Sequence, residues 1–207
     1  MTDTKITKRS TMREVLESYP SAQRALFRRF HIGGCNSCGY QPDDILEEVA
    51  HRHNIIDLDE VIGFIEYAEQ IDRRIQVSPQ EVAAALRGDN PPHLVDVRSP
   101  QEWEVARIQG ATLITEALVQ VMMDWPKDSP VVFYCHLGQR SLDAASYFAG
   151  HGFNNVQSMT GGIDAWSLEI DPSVRRYEIA RDPVHGQPTL QPLRSAVSQA
   201  VDCQKGE

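Results

Sequence analysis

Apolar positions along the chain follow two regimes that change near residue 75. Before that point they recur at helical spacing. Thr11 with Glu14 forms a capping-box pattern ahead of Val15, Leu16 and Tyr19. Pro20 restarts the chain, and Ala22, Leu26, Phe27 and Phe30 mark a second helix. Pro42-Asp43-Asp44 opens a third carrying Ile45, Leu46, Val49 and Ala50. Asp57 with Glu60 opens a fourth carrying Val61, Ile62, Ile65, Ala68 and Ile71. Residues 10–74 therefore read as an all-α domain, broken by a glycine- and cysteine-containing loop over 33–39.

From residue 75 short β-branched and aromatic runs alternate with helical patterns. The spacing predicts strands near 75–77, 93–97, 111–114, 130–134 and 155–158. It predicts helices over 79–87, 100–106, 116–124, 141–150 and 163–168. This alternation implies an α/β domain over 75–170, a mostly parallel sheet flanked by helices. A ligand site then belongs outside the carboxyl ends of the strands. Beyond Asp171 periodicity fades and Pro172, Pro183, Pro188 and Pro192 appear. Residues 171–207 read as an extended tail lying partly over the domain surface. A weak apolar pattern at Leu190, Leu193, Val197 and Val201 fits one short helix within it.

One junction carries chemistry. The run Val131-Val132-Phe133-Tyr134 ends at Cys135, and His136-Leu137-Gly138-Gln139-Arg140-Ser141 leads into the next helix. A buried strand thus delivers a thiol to the floor of a tight loop. Backbone N–H groups of such a loop converge on the sulfur, and the helix N-terminus adds partial positive charge. Both favour thiolate over thiol and make Cys135 a nucleophile. Ser141 reads as the helix cap. The alternative for Cys135 is a buried structural cysteine ending a strand.

The flanks of this loop add two further motifs. Asp96-Val97-Arg98-Ser99-Pro100-Gln101-Glu102-Trp103 lies upstream, and Gly161-Gly162-Ile163-Asp164-Ala165-Trp166 downstream. In that order, with the cysteine loop between them, they resemble the rhodanese family of sulfurtransferases over about residues 75–170. The resemblance implies a rhodanese-like parallel sheet and sulfane-sulfur transfer through a Cys135 persulfide. It implies that residues His136, Leu137, Gly138, Gln139, Arg140 and Ser141 hold the substrate sulfur, chiefly by main-chain N–H groups. Asp96 and Arg98 correspond to a supporting buried ion pair, and Arg140 to a loop organiser tied to a carboxylate or carbonyl. Cys135 to Arg140 is a six-residue loop. Rhodanese-like sulfurtransferases use that length, whereas phosphate-ester hydrolases of the same fold carry one residue more. His136 invites a Cys–His pair reading. Adjacent residues on a tight loop seldom face each other, so a pocket-lining place is expected for it. Trp103, Trp166 and the Gly161-Gly162 turn are expected to shape the loop's surroundings.

Cys35-Asn36-Ser37-Cys38 is the second chemical signal. Two cysteines at this spacing can close a disulfide, supply half of a metal site, or pass sulfur as persulfides. With Tyr19-Pro20 before it and Asp44-Ile45-Leu46-Glu47 after it, the segment resembles the small helical disulfide domain associated with hybrid-cluster proteins. That resemblance implies a redox-active or relay dithiol at Cys35 and Cys38. A zinc site with His51 and His53 fits poorly, because residues two apart on a helix point about 200° apart. A cluster shared between two chains and a purely structural pair also stand as readings. His31 reads as a loop or surface residue, and Cys203 near the end of a polar tail as incidental or as a sulfur relay.

Composition narrows the remaining classes. A net charge of −9 with no basic stripe argues against nucleic acid or an anionic membrane as partner. No apolar run reaches membrane-spanning length, and Met1-Thr2-Asp3-Thr4-Lys5 lacks a signal-peptide core. Four unevenly spaced cysteines do not form a secreted disulfide framework. The expected compartment is the cytoplasm, no cofactor is expected, and the expected partners are a small sulfur donor or protein persulfide and a thiol acceptor. From a different class, a sulfur or redox sensor without turnover, or a metal-cluster-linked adaptor, would use the same cysteines.

Overall fold

The structure, a computed structural model, describes residues 5–33, 39–181 and 188–193. The chain divides into two compact units, Met1–Arg74 and Ile75–Glu207.

The first unit is helical: α1 Met12–Ser18, α2 Ala22–Phe30, α3 Leu46–Arg52 and α4 Leu58–Ile75. Its core gathers Met12, Val15, Leu26, Ile32, Leu46, Val61 and Ile65. The Thr11/Glu14 capping box is present, with each side chain accepting from the other's backbone N–H. Asp57 caps α4 by accepting from the N–H groups of Asp59 and Glu60. The third helix begins at Leu46, four residues after Pro42. Carbonyls of Pro42 and Asp44 instead accept the N–H groups of Arg13 and Met12, satisfying orphan donors at the start of α1. His31 ends α2 in the left-handed region at φ 57° and is exposed.

The second unit is a five-stranded, all-parallel sheet in the order β1-β5-β4-β2-β3. Its strands are β1 Gln76–Val77, β2 His93–Asp96, β3 Thr112–Leu113, β4 Val131–Tyr134 and β5 Val156–Met159. The helices between and after them are α5 Pro79–Ala85, α6 Pro100–Val105, α7 Glu116–Met123, α8 Gln139–Gly150 and α9 Gly162–Glu169. Every residue of β4 is buried, as the unbroken apolar run requires of a central parallel strand. Val132 and Tyr134 join a core with Leu94, Met159, Ile163 and Trp166. Phe133 stacks on Phe148 of α8, with ring centroids 5.1 Å apart. Ser78 and Ser99 open α5 and α6 with complete capping boxes and proline in the first turn. From β2 the chain runs outward to β3, and from β4 it runs the opposite way to β5. The sheet therefore reverses direction between β2 and β4, whose last residues, Asp96 and Tyr134, are register partners. A binding crevice belongs at such a switch point.

Besides the start of α3, two expectations are corrected. Part of the tail forms an antiparallel pair, β6 Tyr177–Arg181 with β7 Pro188–Pro192. Leu190 is in a strand, not a helix, while Val197, Val201 and Cys203 lie outside the described residues. The anchor is Tyr177, 1% exposed with its hydroxyl bonded to two buried groups. The second correction concerns α8, which starts at Gln139 with Gly138 at its N-cap, so Ser141 lies in the first turn and is not the cap. Gly138 takes that place because its φ is +94°. Among the described residues no helix is long and apolar enough to cross a membrane.

Phe148→Ala is expected to lower the unfolding free energy by about 3–5 kcal/mol, read from urea unfolding. A loss below about 1 kcal/mol would mean that the Phe133–Phe148 stack does not anchor α8 on the sheet.

Candidate active site

Cys135 follows β4 directly and is 1% exposed. Its Sγ accepts the Gly138 N–H at 3.1 Å and lies 3.6 Å from the Ser141 hydroxyl. The same hydroxyl is 3.1 Å from the Gly138 carbonyl and accepts from Ser158 Oγ at 2.9 Å. Ser141 has one proton and two acceptors in reach. A neutral thiol leaves that proton on the Gly138 carbonyl, whereas negative charge on sulfur draws it to Sγ. Ser158 supports the hydroxyl in either state. Sulfur is therefore held by a main-chain amide and a swivelling hydroxyl, at the N-terminus of the 12-residue helix α8.

The back of the loop is held by the Gly161-Gly162 turn. N–H groups of Ile163 and Asp164, in the first turn of α9, donate to the carbonyls of Cys135 and His136 at 2.8 and 3.2 Å. That contact is close enough to exclude any side chain. A Cβ on Gly162, whose φ is +59°, would lie 2.3 Å from the Cys135 carbonyl oxygen. The two-glycine motif is thus explained by backbone approach.

Arg140 is organised by a residue to which sequence reasoning assigned no role. Glu102 receives a bidentate pair from Arg140, at 2.7 Å to Oε2 and 2.6 Å to Oε1. Oε2 also accepts the Ser99 N–H and hydroxyl, each at 3.0 Å, and Oε1 accepts the Tyr177 hydroxyl at 2.8 Å. The Glu102 side chain is 4% exposed and that of Arg140 44%. Burial opposes ionisation of Glu102, yet the bonds from Arg140, Ser99 and Tyr177 outweigh it and hold the carboxyl down at about 2. The same Glu102 bond keeps Arg140 above the ordinary guanidinium range. The signal was available in part: Ser99-Pro100-Gln101-Glu102 is a capping box, which marks Glu102 as a backbone acceptor. Tyr177 lies in the stretch read as a tail and had no signal.

Asp96 and Arg98 form a fully buried pair. Arg98 Nε donates to both Asp96 oxygens, and its remaining donors reach the Tyr177 hydroxyl at 2.9 Å and the Ala106 carbonyl at 2.6 Å. Burial works against the Arg98 charge, but Asp96 and Tyr177 hold it above its ordinary value.

His136 is buried with its Nε2 3.0 Å from the Tyr177 carbonyl, and its ring stacks on the Tyr177 ring at 4.3 Å. Burial pushes its pKa down. The imidazole is committed to this stack, so His136 contributes to the loop through its backbone. Leu137, Gln139 and Arg140 are exposed at the loop's rim, and Trp166 is a buried core residue of α9. Trp103 lies under the Arg107 guanidinium. Cys35 and Cys38 fall outside the described residues.

A buried thiol bonded to a main-chain amide at the switch point of a parallel sheet is an arrangement that can serve covalent chemistry. Residues 78–169 match the family described as the rhodanese-like domain. Over 95 residues the chain is 38% identical to thiosulfate sulfurtransferase GlpE of Vibrio cholerae, covering 44% of this chain and 90% of that protein. Over 127 residues it is 30% identical to the probable adenylyltransferase/sulfurtransferase MoeZ of Mycobacterium tuberculosis, covering 59% of this chain. That alignment spans only 32% of MoeZ. Among solved structures, a rhodanese-related protein of Thermoplasma volcanium aligns with a TM-score of 0.40 at 22% identity, covering 46% of this chain and 92% of that one. The chain belongs to the rhodanese-like family.

Two outcomes follow from this geometry. Folding lowers the Glu102 pKa from 4.5 to about 2, so its ionised form stabilises the fold fully above about pH 4.5 and progressively less down to about pH 2. The stability gap between wild type and Glu102→Gln should therefore be widest near neutrality and close on acidification, as measured by urea midpoints. A gap that does not vary with pH would contradict the pairing. Gly162→Ala, which drives a methyl into two carbonyl oxygens, should lower the thermal midpoint by about 5 °C or more; an unchanged midpoint would show that the turn can move away from the loop.

Proposed function

We propose that the protein is a rhodanese-type sulfurtransferase that carries sulfane sulfur on Cys135. The observation that carries this reading is the Gly138 N–H on Cys135 Sγ at 3.1 Å within a six-residue loop. The names of the relatives matched, thiosulfate sulfurtransferase above all, support it.

With thiosulfate as donor, the Cys135 thiolate attacks the outer sulfur, the S–S bond of the donor breaks, and sulfite leaves with the bonding pair. Cys135 persulfide remains. A second thiolate, or cyanide in an assay, then attacks the terminal sulfur and Cys135 departs as thiolate. The Gly138 amide and the Ser141 hydroxyl stabilise anionic sulfur at each stage. Arg140 stays bonded to Glu102 and fixes the loop, without transferring a proton. An organic or protein persulfide offers the same outer sulfur and serves as an alternative donor.

Cys35 and Cys38 complete the proposal as a redox or relay dithiol. One of them, as thiolate, takes the terminal sulfur from Cys135. Attack by the other on the resulting persulfide closes a disulfide and expels hydrogen sulfide, so the dithiol is oxidised as the sulfane sulfur is reduced. A thiol protein that takes the sulfur from the Cys135 persulfide in place of the dithiol, and a cytoplasmic location, belong to the same reading.

Intact-mass analysis after anaerobic incubation with thiosulfate or polysulfide tests it. Wild type should gain one sulfur, and Cys135→Ser none. Cyanide-assayed turnover should fall to background in Cys135→Ser and stay within about twofold of wild type in Cys35→Ser. Absence of any Cys135-dependent adduct would overturn the persulfide mechanism. Equal losses in the two variants would overturn the division of labour between the cysteines.

A further inference from the structure

We infer that Tyr177, beyond the segment that matches the family, is a positioning residue of the cysteine loop and makes strand β6 part of the catalytic unit. The inference rests on the sulfur-transfer reading of Cys135. The matched segment ends at residue 169, and Tyr177 opens β6 eight positions later.

Tyr177 reaches both ends of the loop, the first directly and the second through Glu102. At the loop's start its ring stacks on His136 at 4.3 Å with 13° between planes, and its carbonyl lies 3.0 Å from His136 Nε2. At the loop's end its hydroxyl donates to Glu102 Oε1 at 2.8 Å, on the oxygen that also receives Arg140 Nη2 at 2.6 Å. The hydroxyl in turn accepts from Arg98 Nη1 at 2.9 Å, which joins the Asp96–Arg98 pair to the same cluster. A phenol has one proton to give, and Arg98, itself only a donor, obliges it to point at Glu102. The hydroxyl therefore aims the carboxylate, the carboxylate aims Arg140, and Arg140 closes the loop whose Gly138 amide faces Sγ. A neighbouring bond secures the connection: Arg176 pairs with Asp164 of α9 at 2.7 and 3.0 Å, beside the amides that hold the loop's carbonyls.

Burial alone would also explain the ring, since Tyr177 belongs to the apolar core. The hydroxyl separates the two accounts. Tyr177→Phe keeps the stack on His136 and removes only the aim of Glu102. Turnover with thiosulfate and cyanide should fall about tenfold in kcat with KM within about twofold. In a Glu102→Gln background the same substitution should cost no more than about twofold further, because the two residues act along one path. Arg140→Gln, at a half-exposed side chain, provides a second background if Glu102→Gln does not fold.

Alkylation of Cys135 by iodoacetamide at neutral pH reads the loop independently of turnover. It should change severalfold on Tyr177→Phe in the wild-type background and not in Glu102→Gln. If wild type transfers no sulfur while alkylation keeps this pattern, the sulfur-transfer reading fails and the coupling stands. Wild-type kinetics and alkylation in Tyr177→Phe, or equal losses in all backgrounds, would overturn the inference and reduce Tyr177 to a core residue.

Discussion

The arrangement depends on one buried carboxylate. Glu102 is 4% exposed, and a charge so placed costs several kcal/mol unless it is matched. Its partners come from three separate parts of the second unit: Ser99 at the mouth of α6, Arg140 at the mouth of α8, and Tyr177 at the start of β6. None can move far without leaving an unmatched charge in the interior. A half-exposed arginine alone would contribute little, as surface pairs commonly add less than about 1 kcal/mol. Here the guanidinium meets a carboxylate already desolvated and bonded on both oxygens, so the bidentate pair is a geometric constraint more than a surface ornament. The cysteine loop inherits its shape from that constraint.

A second constraint acts from behind. α9 approaches the loop so closely that Gly162 has no room for a methyl group, and its first-turn amides occupy the carbonyls of Cys135 and His136. With those carbonyls held, the Gly138 amide bonds the sulfur. Glu102 thus fixes the side-chain end of the loop, and the glycine turn fixes its backbone. The sulfur needs no charged neighbour in direct hydrogen-bond contact.

Legibility in the sequence followed the range of the forces involved. Strands and helices of the second unit were readable because period and capping are local: Ser78 and Ser99 announce α5 and α6 within four residues of chain. The cysteine loop was readable for the same reason, since Cys135, Gly138 and Arg140 lie on one turn. The roles of Glu102 and Tyr177 were not, because they arise from contacts 38 and 75 residues apart in the chain. The start of α3 was misplaced for a related cause, namely that Pro42 and Asp44 serve the free donors of α1. Ser141 was misjudged locally, where a glycine at positive φ displaced the expected hydroxyl cap.

The placing of charge around Cys135 has a chemical rationale. Under the sulfur-transfer proposal, Cys135 must attack a donor and later depart from the sulfur it has carried, so it cannot be held too firmly in either state. Direct pairing with a guanidinium would favour the thiolate, yet nucleophilicity falls as the thiolate is stabilised. In this structure Arg140 is turned to Glu102, Arg98 to Asp96, and Arg176 to Asp164. Sγ is left with an amide and a hydroxyl whose proton can move between sulfur and the Gly138 carbonyl. In that proposal the hydroxyl, within reach of both acceptors, can follow the charge as it appears and leave as it goes, so stabilisation would track the reaction and not trap one of its stages. The fixed cations hold the loop that presents those groups, and the Arg140 charge also acts on Cys135 through space, without a hydrogen bond. Such a division, with rigidity supplied by ion pairs and adjustability by neutral donors, suits a nucleophile that is also a leaving group.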